Sequence, residues 1–219
     1  IRFDLEQIST RAKQFGALLA IDGTQSVGAL NFDIQKIRPD ALICVAYKWL
    51  MGPYSMGLAY FGEFFDGGIP LEETWMAREE SNLFYKLTEY QNSYRPKAYR
   101  YNVGEHSHFI QIPMLEVALR EKLAWGSDHI QAHCQQLWQE PVRQLSALGV
   151  TFEPEDERAH HLVGIRLPDG TDVIKVQQAL EAHKVIVAAR GRGIRVSPHL
   201  YNTPKDMAVL VDALMEVLT

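Results

Sequence analysis

The sequence predicts an α/β fold with a mostly parallel sheet, followed by a smaller α+β domain. Over residues 4–61, short continuous apolar runs alternate with helical periodicity, a pattern typical of strands buried in a parallel sheet. Apolar residues make up 47% of the 219 residues and charged residues 22%, the balance of a globular protein. We therefore expect a packed core rather than a disordered chain.

The elements of the first domain follow from apolar spacing and from turn residues. Apolar side chains recur at helical intervals over residues 4–15, and Gly16 is a natural end for that helix. Continuous apolar runs predict three strands, at 17–21, 41–46 and 58–61. A short helical turn is predicted between the first two strands, at 34–37. Beyond them the pattern weakens, so we expect a long irregular excursion over residues 62–100.

The rest of the chain predicts two long helices and then a small α+β unit. The long helices are expected over 108–125 and 128–147, separated by Gly126 and capped by Ser127 or Asp128. The α+β unit then has four strands, at 150–152, 161–167, 185–188 and 194–197. Its two helices are predicted at 172–183 and 204–218. We place the domain boundary between residues 126 and 127.

Composition argues against several classes of partner. The net charge is −5 and there is no basic stripe, so we do not expect binding to nucleic acid. The chain lacks an apolar run of the roughly 20 residues that a membrane helix needs. The two cysteines, Cys44 and Cys134, make no disulfide framework, which fits a reducing cytoplasm. No histidines have the spacing of a metal site, so no metal is expected.

Two chemically useful side chains follow neighbouring predicted strands. Asp22 comes directly after the first strand, with Gln25 three residues on, and Lys48 comes after the second strand, before Gly52 and Pro53. Taken alone, such an acid is usually a cap and such a lysine usually reaches solvent. Together they can place an anion and an amine at the edge where open α/β sheets bind ligands. An imine-forming amine and an acid that can pair with a pyridinium are the minimum equipment for pyridoxal phosphate (PLP) chemistry.

The motifs around these residues resemble a known family. Residues 22–29 (DGTQSVGA) and 47–53 (YKWLMGP) resemble the class V aminotransferases of PLP-dependent fold type I. That family includes cysteine desulfurases, kynureninases and isopenicillin N epimerase-like proteins. Two further stretches agree with it, 100–104 (RYNVG) and 194–203 (IRVSPHLYNT).

The resemblance implies a domain organisation and partners. Residues 1–126 would be the C-terminal part of the large PLP-binding domain, and 127–219 a connecting helix with the small C-terminal domain. The N-terminal part of the family fold would be absent, and residues 1–219 would need that segment to fold and to hold PLP. Relatives suggest a homodimer with the site at the subunit interface.

The resemblance also implies roles for individual residues. Lys48 would form the Schiff base with PLP and shuttle the proton at the substrate α carbon. Asp22 would pair with the pyridine nitrogen, and Gln25 would donate to the phenolic oxygen. Tyr47 would reach the phosphate, and Arg195 would hold the substrate carboxylate with its planar fork.

The chain departs from the family pattern at three places. Val45 stands where relatives often have a phosphate-binding Ser or Thr. Glu105 stands where relatives often have Thr, so that phosphate contact is expected to fall to Ser107 or to be absent. The stretch 189–193 has no cysteine, although desulfurases carry a nucleophilic cysteine on a loop there, and desulfuration through a persulfide is therefore disfavoured.

These observations predict an aminotransferase-like enzyme acting on an amino acid. A PLP-dependent lyase or epimerase, kynureninase-like or cleaving carbon–sulfur bonds, stays open, as does a non-catalytic PLP-fold binding protein. Intact Asp22, Lys48 and Arg195 argue against the non-catalytic alternative. Arg78, Arg190 and Arg192 could each contact an acidic substrate side chain or be solvated.

Overall fold

The computed structural model describes all 219 residues, which group into two compact units. One unit, called here the N-terminal unit, comprises residues 4–27 and 32–122. The other, the C-terminal unit, comprises residues 1–3, 28–31 and 123–219. The assignment of a PLP-binding domain and a C-terminal domain with a boundary at 126/127 stays a prediction.

The N-terminal unit contains a small sheet, a long irregular excursion and a long helix. Its helices and strands are α1 (Leu5–Gln14), β1 (Ala20–Asp22), α2 (Ile34–Ile37), β2 (Ala41–Val45), β3 (Gly57–Phe61) and α3 (Gln111–Trp125), whose last turn belongs to the C-terminal unit. The excursion between β3 and α3 is built on four 3₁₀ helices, Glu63–Phe65, Trp75–Ala77, Phe84–Lys86 and Lys97–Tyr101. The prediction of an irregular segment there is confirmed.

The sheet of the N-terminal unit has the order β1-β2-β3 and is mixed. Strands β1 and β2 are parallel, with Asp22 opposite Ile43, whereas β3 runs antiparallel to β2. Strand β1 begins only at Ala20, later than predicted, because the Leu19 N–H donates to the Asp40 carboxylate at 2.7 Å. The parallel pair is the part of the sheet that brings the ends of β1 and β2 together.

One face of this sheet is buried and the other is open. Leu42 and Cys44 on β2 are buried, while the intervening Ile43 is 56% exposed. Asp22 and Ala59 pair with Ile43 in register and are exposed on the same face. The expectation of strands buried in the sheet is therefore met on one face only, since Asp22, Ile43 and Ala59 are exposed on the other.

The C-terminal unit is a three-stranded antiparallel sheet backed by helices. Its elements are α4 (Ser127–Ser146), β4 (Val163–Arg166), α5 (Val173–Ala182), β5 (Ala188–Arg190), β6 (Gly193–Val196) and α6 (Pro204–Leu218), with a 3₁₀ turn at Glu155–Glu157. The strand order is β4-β6-β5. None of the helices in the molecule combines the length and the apolar character needed to cross a membrane.

Alternation along β4 and β6 builds the core of the C-terminal unit. Val163, Ile165, Ile194 and Val196 are buried, and they pack with apolar residues of the three helices, among them Trp138, Leu145, Val176, Leu180, Leu210 and Leu214. The alternate positions, Gly164, Arg166, Gly193 and Arg195, lie on the opposite face.

Two strand predictions in this unit are shifted or wrong. Residues 150–152 form no strand; Thr151 makes only an isolated bridge to Arg166, because Pro154 and the 3₁₀ turn end the pairing. The strand predicted at 185–188 begins at Ala188, since only residues 188–190 pair with β6. The remaining elements agree with the predictions to within a few residues.

Gly193 is fixed by close backbone approach in the centre of this sheet. A Cβ at this position would lie 2.4 Å from the Ile165 carbonyl oxygen, and paired strands leave little room to move apart. We expect Gly193→Ala to lower the free energy of unfolding by about 1–3 kcal/mol, the cost of overpacking. Chemical denaturation measures it, with Gly67→Ala as the control, because a Cβ there meets nothing within 4 Å. Equal loss in both variants would contradict the packing argument.

Candidate active site

Asp22 is held in an ionised state at the carboxyl end of β1. The Gly23 N–H donates to the Ile43 carbonyl at 2.8 Å, which continues the parallel ladder, and the chain then turns so that the Thr24 N–H donates to Asp22 Oδ1 at 2.9 Å. The Thr24 hydroxyl and this N–H lower the pKa of Asp22; slight desolvation opposes them more weakly, and the charge of Lys48 adds the smallest lowering. Asp22 is thus an exposed carboxylate with acceptor capacity left.

Lys48 lies in a tight loop after β2. The loop is closed by backbone hydrogen bonds from the Ala46 N–H to the Met56 carbonyl and from the Gly52 N–H to the Ala46 carbonyl, at 2.9 and 2.8 Å. Met51 adopts a positive φ of 55°, so the loop reverses within a few residues. Lys48 is exposed, and its charge acts on Asp22. The loop therefore presents the amine at the edge of the sheet where Asp22 lies.

Two glycines allow the backbone to pack closely around this edge. A Cβ on Gly23 would lie 2.7 Å from side-chain carbons of both Leu42 and Val27. A Cβ on Gly52 would lie 2.8 Å from Leu115 and 2.9 Å from Ala46. Any larger residue at either position would push the Asp22 turn or the Lys48 loop away from the sheet.

Gln25 is oriented by Trp49, the residue after the lysine. The Trp49 indole N–H donates to Gln25 Oε1 at 3.1 Å. Because an indole nitrogen is a donor only, the amide must turn its oxygen towards Trp49. The amide NH₂ is then the end of Gln25 that can donate to a ligand.

Tyr47 is positioned by an aromatic neighbour across the lysine loop. Its ring stacks on that of Tyr54, with centroids 4.4 Å apart and planes 13° from parallel. The Tyr54 carbonyl accepts a hydrogen bond from Gln111 on α3 at 3.3 Å. Tyr47 is partly exposed, so its hydroxyl can reach a ligand.

The positions that depart from the family pattern have specific surroundings. The Val45 N–H donates to the Thr24 hydroxyl at 3.4 Å, so this position contributes its backbone to the Asp22 turn instead of a side-chain hydroxyl. Ser107 is exposed in the segment between the last 3₁₀ helix and α3. Its assignment as a phosphate ligand stays a prediction.

Arg195 lies on β6 in the C-terminal unit, on the sheet face away from the helices. It pairs in register with Gly164 on one side and Ala188 on the other. Its Nε atom is buried and has no hydrogen-bond partner. A buried guanidinium N–H without a partner is suited to donate to an anionic ligand.

The structure places five of the six predicted residues in the N-terminal unit, four of them at one sheet edge, and adds three that sequence reasoning missed. Asp22 is the last residue of β1, and Gln25, Tyr47 and Lys48 lie just beyond the carboxyl ends of β1 and β2. The missed residues are Thr24, Trp49 and Tyr54. Thr24 could have been found, because a residue two positions after Asp is the usual donor of an Asp turn. The other two make contacts across loops, which spacing does not reveal.

The hydroxyl of Thr24 should control the ionisation of Asp22. In Thr24→Val the hydroxyl is lost, so we expect the pKa of Asp22 to rise towards its ordinary value. Thr24→Ser keeps the hydroxyl and is the matched control. Carboxyl carbon NMR titration measures the pKa of Asp22 directly. An unchanged pKa in the valine variant would contradict the role of Thr24.

Comparison with known proteins bears on the family and the fold. The Aminotransferase class-V family model matches residues 1–210. An uncharacterized aminotransferase, YcbU of Bacillus subtilis, is 26% identical over 96% of this chain and 54% of its own length. This chain thus spans about half the length of that curated relative.

Solved structures show the same fold. A cysteine desulfurase from Thermococcus onnurineus superposes with a TM-score of 0.77 at 20% identity, covering 98% of this chain and 56% of that one. A variant of the lyase C-DES, with glycine covalently linked to its PLP cofactor, gives 0.83 at 19% identity, covering 98% and 57%. The fold is therefore part of PLP-dependent fold type I. The chain belongs to the class V aminotransferase family.

Proposed function

We propose that this chain carries the PLP site of an enzyme that acts on an amino acid by aminotransferase-like chemistry, with covalent attachment of the cofactor at Lys48. The observation that carries the proposal is the ionised Asp22 carboxylate at the same sheet edge as the Lys48 amine. A carboxylate and an amine there match the two ends of the cofactor's reactive ring.

The residues of this edge fit pyridoxal phosphate. Asp22 offers a carboxylate with a lowered pKa to a protonated ring nitrogen. Gln25, turned by Trp49, offers an amide NH₂ to a phenolic oxygen. The exposed Tyr47 hydroxyl is a candidate donor to the phosphate. Gly23 and Gly52 keep the surrounding loops close to the sheet.

Lys48 would do two things in the reaction. Its amine would hold the cofactor covalently, and the same amine would take and return the proton at the substrate α carbon. Bound pyridoxal phosphate supplies the electron-withdrawing ring that stabilises negative charge at that carbon. Asp22 supports this by keeping the ring nitrogen protonated.

Arg195 is the proposed anchor for the substrate α-carboxylate. Its guanidinium can form two parallel hydrogen bonds to a carboxylate, which fixes direction as well as position. The buried, unpartnered Nε supports this role, because a bound carboxylate would satisfy it.

Several features support a reaction other than persulfide formation. Cys44 is buried in β2, and burial raises the pKa of its thiol. Cys134 is fully buried in α4 and donates to the Pro198 carbonyl at 3.4 Å. Strands β5 and β6 are joined by a two-residue turn, Gly191 and Arg192, which is too short to carry a mobile nucleophile.

A second candidate is a PLP-dependent lyase or epimerase. It is favoured by the likeness to the protein C-DES, a cystine C-S lyase.

We also propose a homodimer, supported by exposed apolar side chains on α3 such as Met114 and Val117.

The test is a panel of amino acids given to the full-length protein with and without an α-keto acid acceptor. We expect turnover that depends on the acceptor, together with formation of the corresponding new amino acid. Lys48→Ala should abolish turnover, while Lys86→Ala, in the irregular excursion, is the control. Product formed without any acceptor would overturn transamination in favour of the lyase or epimerase.

A further inference from the structure

Three arginines share one face of the C-terminal sheet. Arg195 lies in a row of paired residues with Gly164 and Ala188, and Arg166 and Arg190 flank Gly193 in the next row. Cα atoms diagonal to each other across antiparallel strands are about 7–8 Å apart. Arg166 and Arg190 are therefore both diagonal neighbours of Arg195, within reach of one small ligand.

These arginines lack the acidic partners that Arg143, Arg158 and Arg192 of the same unit have. Ion pairs join Arg143 to Glu140, Arg158 to Glu155 and Arg192 to Asp169. No carboxylate lies within ion-pair distance of Arg166, Arg190 or Arg195, and the one side-chain hydrogen bond among them runs from Arg190 to the Ala189 carbonyl. Three unpaired like charges on one face repel each other unless an anion joins them.

The floor between the arginines is bare. Gly193 stands between Arg166 and Arg190, and the Ile165 carbonyl forbids a side chain there. The face lines an open cavity of about 750 Å³, large enough for a substrate of amino-acid size. The one carboxylate that lines this cavity is that of Glu153, which lies over Gly164 on β4, away from Arg190. One of its oxygens is 3.9 Å from the Ile1 amino group.

We infer that this face selects a substrate with a second acidic group. The α-carboxylate lies on Arg195, and the side-chain acid lies over Gly193 between Arg166 and Arg190. The substrate class is then an acidic amino acid, with either a carboxylate or a phosphate on its side chain, since both accept the arginine fork. This inference rests on the proposed function for the role of Arg195, and adds the specificity.

The test measures binding to the full-length protein freed of its cofactor, by isothermal titration calorimetry with matched pairs of ligands. The pairs are L-glutamate with L-glutamine, and O-phospho-L-serine with L-serine. We expect the acidic member of at least one pair to bind about tenfold or more tightly than its neutral partner, the effect of a charged hydrogen bond. The pair with the larger ratio of acidic to neutral affinity shows whether the site prefers a carboxylate or a phosphate on the side chain.

Variants separate a built site from general attraction by positive charge. Arg166→Gln and Arg190→Gln should each reduce the ratio by about tenfold. Arg192 also lines the cavity, but its guanidinium is held by Asp169, so Arg192→Gln removes the same charge and should keep the ratio. Equal affinity of acidic and neutral members, or an equal loss in Arg192→Gln, would overturn the inference. Neither result would affect cofactor attachment at Lys48, on which the proposed function depends.

Discussion

Parallel pairing of β1 with β2 is the constraint on which the candidate site depends. Because parallel strands end at the same edge of a sheet, Asp22 and the loop that carries Lys48 leave the sheet on the same side. The hydrogen bond from the Gly23 N–H to the Ile43 carbonyl extends the pairing past the last residue of β1. A shift of register by one residue would turn the Asp22 side chain to the opposite face.

Side chains alternate between the two faces of each sheet, and the two sheets differ in what each face contacts. In the C-terminal sheet, one set of alternate residues forms the core with the helices, and the other set carries Arg166, Arg190 and Arg195. In the N-terminal sheet, Leu42 and Cys44 are buried, while Asp22 shares an exposed row with Ile43. In both sheets, side chains proposed to bind ligands lie on the exposed face, Asp22 in the N-terminal sheet and the arginines in the C-terminal sheet.

Much of this could be predicted from the sequence, because the informative signals are local. Helical periodicity located α1, α4 and α6, and the Asp, Gln and Lys spacing located the residues of the sheet edge. Strand ends were less predictable: β1 starts late because of a bond from Leu19 to Asp40, a partner distant in sequence. The mixed direction of the sheet could not be predicted, since an apolar run such as β3 does not reveal its orientation.

The side chains that orient the site were also hidden from sequence reasoning. Trp49 contacts Gln25, and Tyr54 stacks on Tyr47, and neither contact has a spacing rule. The arginine face shows the same limit. The sequence alone does not distinguish Arg190 from Arg192. Strand pairing places Arg190 beside Gly193, whereas Arg192 lies in the turn and forms an ion pair with Asp169.

The most direct test of the central claim is the identity of the lysine that holds the cofactor. Borohydride reduction of the full-length protein with pyridoxal phosphate makes the covalent link permanent, and peptide mass mapping then locates it. We expect the label on Lys48, and loss of labelling at that peptide in Lys48→Ala. A label on a different lysine in the unmodified protein would contradict the assignment of the sheet edge formed by Asp22 and Lys48.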